Sequence, residues 1–343
     1  MTRPSHHAVS FEEMQENIMI SLRKYDLGKT VAMYNSVGLK SRNIVFLTKW
    51  IYDISKNFSY LPTVDSNYRE KLAKNKTKLT IFGILVDDLA DNYKIRNHDL
   101  LEKAIRIPWN PHVEYQNDYL EVIRKMWLDI MNSLEQYPRY EEFKDIFFFD
   151  LDQFMDSTRY AYLINTMELD NILELKTYSP HNMMSLLFFD MDLMCSTNFK
   201  KETLKKIRPL FHWVQDITHI GNILSTYPRE IYELDFSSPI ISMGLIEGII
   251  TKEDIVKRPK LALEKLKFLV PYLKKRAEED FEKIKDYANV IEEIDINDFY
   301  NRVRKVYESF LEREHYWDAS EKEELLQPII QVIPNYTVKW VRM

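Results

Sequence analysis

Arg69-Glu-Lys-Leu-Ala-Lys-Asn-Lys-Thr-Lys-Leu-Thr-Ile81-Phe-Gly-Ile-Leu-Val86-Asp87-Asp88-Leu-Ala-Asp91 is the stretch on which the fold turns. Its run from Ile81 to Val86 is as apolar as a buried strand. The whole segment is far longer than a strand, however, and enters through a charged lead, so it reads as a core helix ending in the aspartates. A Pro and Asp/Ser cluster at 62–66 marks the turn before it, giving an expected helix from about 67 to about 92. On that helix Asp87 and Asp91 lie one turn apart, with Asp88 beside them.

A second stretch repeats this logic. In Asn222-Ile-Leu-Ser-Thr226-Tyr-Pro-Arg229-Glu230 the oxygen-bearing residues Asn222, Thr226 and Glu230 recur every four positions. On a helix they fall within an arc of about 80°. An amide oxygen, a hydroxyl and a carboxylate suit a hard cation such as Mg²⁺, which keeps positions open for water and phosphate. Arg229 is placed to reach the same anion as the metal. Two such oxygen sets imply a substrate rich in phosphate.

Together the motifs resemble those of class I terpene cyclases of the microbial, single-domain kind. Asp87-Asp88-Leu-Ala-Asp91 matches the aspartate-rich DDxxD pattern, and Asn222, Thr226 and Glu230 match the NxxxSxxxE-type pattern. The flanks, His219-Ile-Gly-Asn222 before and Glu230-Ile-Tyr-Glu-Leu-Asp-Phe-Ser-Ser after, are similar to cyclases acting on longer prenyl diphosphates. The resemblance implies an all-α bundle around a central cavity, formed as one domain over residues 1–343, with 1–10 as a tail. It implies Mg²⁺, three ions in the family pattern, held by Asp87, Asp88, Asp91, Asn222, Thr226 and Glu230. It also implies ionisation of a prenyl diphosphate, geranylgeranyl before farnesyl, followed by carbocation cyclisation and diphosphate release.

The match has departures. Lys176 stands where the cyclases usually carry an arginine that senses diphosphate, with Ser179 and Pro180 at the helix break that follows. Lysine offers a point charge rather than a planar fork. Pro228 lies inside the second motif, where it removes a helix hydrogen bond and is expected to kink the chain, leaving the register of Glu230 insecure. The Arg-Tyr pair that closes over diphosphate near the C-terminus of the family has no adjacent equivalent; Arg313 and Tyr316 are the local candidates. Two alternatives stay open: a chain-elongating prenyl diphosphate synthase, which would carry a second aspartate-rich run, and a non-catalytic helical scaffold.

The rest of the chain also reads as helices. Met14, Ile18 and Leu22 mark one over about 10–25, and Tyr119, Ile123, Met126 and Ile130 another between Pro111 and Pro138. Phe147 to about residue 175 reads as a long helix whose Asp150, Asp152 and Asp156 are polar-face or structural groups. Phe281, Ile284, Ala288 and Ile291, then Phe299, Val303, Val306 and Phe310, form two core stripes. Aromatic residues make up 13% of the chain, with Phe82, Phe149, Phe188, Trp213 and Trp317 as candidates to face a carbocation.

Composition excludes other classes. The glycines at 28, 38, 83, 221, 244 and 248 form neither GxGxxG nor GxxxxGK, so dinucleotide and P-loop cradles are ruled out. A single Cys195 allows no internal disulfide and no Cys-rich zinc site, which fits a reducing, cytoplasmic setting. Net charge is −6 with dispersed cations, and Lys200, Lys201, Lys205, Lys206 and Arg208 read as an exposed helix face, so nucleic acid is not an expected partner. No secretory h-region and no membrane-length apolar run is read, so stable membrane insertion is not expected. The 45% hydrophobic content of 343 residues is enough for a large core. Oligomeric state is left open, a homodimer included.

Overall fold

The run from Ile81 to Val86 is helical, and its strand-like apolarity has a simple cause. Ile81, Phe82, Leu85 and Val86 are all fully buried, because the helix that carries them is packed on several sides at once. A helix surrounded in this way has little polar face to show.

The computed structural model describes residues 11–39, 42–169, 171–287 and 291–312. Among them the regular elements are all helical. The first half of the chain forms α1 (Phe11–Lys24), α2 (Gly28–Val37), α3 (Ile44–Asn57), α4 (Arg69–Asp91), α5 (His98–Arg106), α6 (Asp118–Leu134) and α7 (Tyr140–Met167). The second half forms α8 (Ile172–Tyr178), α9 (Ser185–Met194), α10 (Leu204–Tyr232), α11 (Pro239–Ile246), α12 (Lys252–Lys257), α13 (Pro259–Leu266), α14 (Val270–Asp286) and α15 (Ile296–Glu312). One hydrophobic cluster takes residues from all of these helices, from Leu22 on α1 to Phe299 on α15. No helix among the described residues is long and apolar enough to cross a membrane.

Two helices organise the packing. α4 is bordered by α3, α5, α6 and α7, and α10 by α9, α11, α13, α14 and α15. α7 touches both α4 and α9 and so links the two groups. Asparagine caps fix several starts: Asn43, Asn97, Asn117 and Asn171 each accept a backbone N–H from the first turn of the following helix.

Some expectations are corrected here. α7 begins at Tyr140 and stops at Met167, where Glu168 takes a left-handed φ of 57°, so the stretch expected to run to about 175 is divided. α8 is a separate short helix, and after it residues 179–183 form a 3₁₀ turn ended by Met184, again left-handed. α10 continues through Pro228 as helix to Tyr232. Asn222, Thr226 and Glu230 therefore keep one register. Asp150 is structural, taking both arms of Arg208 at 2.5 and 3.0 Å and tying α7 to α10. Arg208 is thus no part of an exposed face, although Lys200, Lys201, Lys205 and Lys206 are exposed as expected.

Candidate functional site

Three long helices, α4, α7 and α10, each turn a stripe toward a cavity of about 200 Å³, which Leu47, Trp50 and Ile51 of α3 also line. From α4 come Thr80, Gly83, Ile84, Asp87 and Asp91, and from α7 come Phe154, Ser157, Tyr160, Ala161 and Ile164. α10 supplies His219, Asn222, Ile223, Thr226, Arg229 and Glu230. All three sets follow helical spacing, so the two motifs meet because each is a single helix face. The break at 179–184 adds Ser179, Asn182, Met183 and Met184, and the chain leaving α10 adds Asp235, Ser237 and Ser238.

Close approach makes this possible at two glycines. A Cβ on Gly83 would meet Met184 Sδ at 2.5 Å, so a side chain there would displace the Met184 thioether that packs on α4. A Cβ on Gly221 would meet Phe310 Cβ at 3.1 Å, which explains how Phe310 on α15 comes close enough to α10 to line the cavity.

The charge at this cavity is unbalanced. Burial pushes Asp87 up to about 7, and the charges of Asp235 and Asp88 push the same way; the Asn182 amide, donating to Asp87 Oδ1 at 3.2 Å, opposes them. Burial and then Asp87, Asp235 and Asp88 hold Asp91 well above the usual carboxylate range, and its Oδ1 is buried with no hydrogen-bond partner. Glu230 is lifted to about 7 by burial and by Asp235, against the pull of Arg229. Asp235 itself is raised by burial although Asn165 and Ser237 donate to its Oδ1. Four carboxylates thus surround one space and disfavour one another's charge.

Such a donor set fits a hard dication. Among the described residues no group of three or more His, Cys, Asp or Glu is arranged to hold a metal ion by itself. The α10 set also uses an amide and a hydroxyl: Thr226 Oγ1 donates to the Asn222 carbonyl at 2.8 Å, which leaves its lone pairs for a cation. The orphaned Asp91 oxygen and the mutual repulsion are both relieved by positive charge from outside the chain.

Several expected site residues lie elsewhere. Asp88 is turned away from the cavity, its Oδ1 accepting from Arg42 Nη2 at 2.8 Å and its Oδ2 from the Tyr34 hydroxyl at 3.5 Å, so its carboxylate is already used. Lys176 and Pro180 line a separate, smaller cavity with Asp216 and Arg276. Lys176 is carried there by α8, and for Pro180 the 3₁₀ turn is the physical reason: it presents Ser179 and Asn182 to the main cavity and Pro180 to the other side. Arg313, Tyr316 and Trp317 lie outside the described residues. The aromatic candidates also change. Phe82 packs on Trp127, Phe149 is 57% exposed, Phe188 borders another small pocket and Trp213 packs on Tyr287. The cavity is instead faced by Trp50, Phe154, Tyr160 and Phe310.

Residues that motif reading did not single out complete the site. Asn182 follows from the break, and Asp235 stands five residues beyond Glu230 in a stretch already quoted for its resemblance, so both had a faint signal. Arg42, from the link between α2 and α3, had none. His219, one turn before Asn222, is pushed down to about 3 by burial and Arg276 and so is neutral. No family model matches the chain, and no curated protein matches it.

Proposed function

We propose that this chain is a class I terpene cyclase, ionising a linear prenyl diphosphate and cyclising the resulting carbocation. One observation supports the reading most: two oxygen-donor sets with excess negative charge meet in one cavity that also has an apolar and aromatic wall, including Leu47, Trp50, Ile84, Phe154, Ile223 and Phe310. Asp87 and Asp91 from α4, and Asn222, Thr226 and Glu230 from α10, are the residues that would hold Mg²⁺. When bound, Mg²⁺ supplies charge neutralisation to the diphosphate leaving group.

The chain's own groups account for the rest. Arg229 donates charge-assisted hydrogen bonds to the diphosphate oxygens. The allylic carbon–oxygen bond breaks with its electron pair passing to the diphosphate, which leaves an allylic cation. Leu47, Ile51, Ile84, Ile164 and Ile223 exclude water from that cation. Trp50, Phe154 and Phe310 offer aromatic faces to it as it cyclises. The flanking sequence favours geranylgeranyl over farnesyl diphosphate.

The full chain incubated with Mg²⁺ and C10, C15, C20 or C25 prenyl diphosphate tests this by mass spectrometry of extracts. The expected result is a cyclic hydrocarbon or alcohol from one chain length, lost in Asp87→Ala. Turnover only with an added C5 diphosphate would make the chain an elongating synthase. Folded protein with no diphosphate release from any substrate would overturn the enzymatic reading.

A further inference from the structure

We infer that Arg42, together with Arg229, forms a two-guanidinium grip for the diphosphate group, filling the place in which a cation at Lys176 was expected. This inference rests on the cyclase reading and names a residue of the same site.

Both arginines line the main cavity, whereas their shortest carboxylate partners, Asp88 and Glu233, do not; Glu230, 3.8 Å from Arg229, does. Arg42 Nη2 donates to Asp88 Oδ1 at 2.8 Å, and the Arg229 guanidinium is paired with Glu233 one turn further along α10. Each cation is therefore tethered from behind while its fork borders the cavity. The Arg42 side chain is 13% exposed, and the bond to Asp88 is its one side-chain hydrogen bond among the described residues. That leaves most of its five N–H donors available.

The two guanidiniums also lie close enough to disfavour each other's charge. Burial and this repulsion oppose their charge, but the nearby carboxylates outweigh both, so each guanidinium stays charged at the cavity wall and an anion placed there meets two cations. They stand beside the carboxylates of the two motifs, so anion and dication would meet on the same wall. Lys176, in the neighbouring cavity, is absent from this arrangement. The planar fork also matters: an arginine can hold Asp88 on one edge and a phosphate oxygen on another, whereas a lysine ammonium cannot present that geometry.

The test is calorimetric binding of inorganic diphosphate, with Mg²⁺ present, to the full chain and its variants. Arg42→Lys keeps the charge beside Asp88 and is expected to weaken diphosphate binding by about tenfold or more, while Lys176→Met changes it less than about twofold. If thermal melting shows that Arg42→Lys is unfolded, the double variant Arg42→Gln/Asp88→Asn removes the buried pair as a unit and should show the same loss. Folded Arg42 variants that bind diphosphate like the unmodified chain, or a loss carried by Lys176→Met, would overturn the inference and leave the cyclase reading standing. Binding that depends on Arg42 in a chain that turns over no prenyl diphosphate would keep the inference and overturn cyclisation. An unmodified chain that binds no diphosphate overturns both.

Discussion

The two ends of α4 bury charge in opposite ways. Near its start, Lys76 donates to Asp192 at 2.6 Å and to the Ser59 carbonyl at 2.7 Å, and the second Asp192 oxygen accepts the Leu61 N–H at 3.0 Å. Both side chains are fully buried, and the chain supplies partners to both. At the far end, Asp87 and Asp91 face Glu230 and Asp235 across a cavity, with one Asp91 oxygen unpartnered. A closed pair of the first kind fixes how α4 sits against α9. An open set of the second kind costs stability as it stands and is explained by something that binds.

Substitutions at the two ends should therefore fail differently. Asp87→Ala should lower magnesium-dependent diphosphate release by about a thousandfold, without lowering the melting temperature. A matching fall in stability would make Asp87 structural, like Asp192. At the closed end, Lys76→Met should cost about 3–5 kcal/mol in urea unfolding, because Asp192 is left buried without its cation. The fraction that stays folded should keep its KM; a raised KM with little stability loss would erase the contrast.

Acid should sharpen the contrast further. Asp87 and Glu230 are held up to about 7 in the folded chain but titrate near 4 when unfolded. Between those values the folded state binds more protons, so the metal-free chain should lose stability as pH rises from about 4 to about 7. Glu230→Gln should flatten that slope, and an unchanged slope would remove Glu230 from the charge imbalance. The smallest effect concerns the apolar walls. Trp50→Leu should alter product proportions while diphosphate release stays within a few-fold, and Phe149→Ala, at the surface, should alter neither; equal responses would deny Trp50 its place at the cation.

The sequence made α4 legible because charged helical spacing leads directly into the apolar run, and the helix then ends in a motif. It made the α10 face legible for the same reason, since four-residue spacing survives Pro228. It misplaced Lys176 because position along the chain carries no information about which cavity the short helix α8 faces, nor about which side of the 3₁₀ turn Pro180 takes. Arg42 was invisible: an arginine in a link has neither periodicity nor motif, and only the packing of α3 on α4 brings it to Asp88. Asp88 was assigned to metal by its neighbours in the motif, whereas one helical step of about 100° turns it toward Arg42 instead. The cavity aromatics were illegible because Trp50, Phe154 and Phe310 come from three different helices.

The most direct measurement is the melting temperature of the full chain with Mg²⁺ alone, diphosphate alone and both together, repeated for Glu230→Gln. A site with four crowded carboxylates beside two guanidiniums predicts a shift with both ligands that exceeds the sum of the separate shifts and is lost in Glu230→Gln. An unshifted melting temperature under all three conditions, or a joint shift that survives in Glu230→Gln, would contradict the account of the two motifs as one metal–diphosphate site.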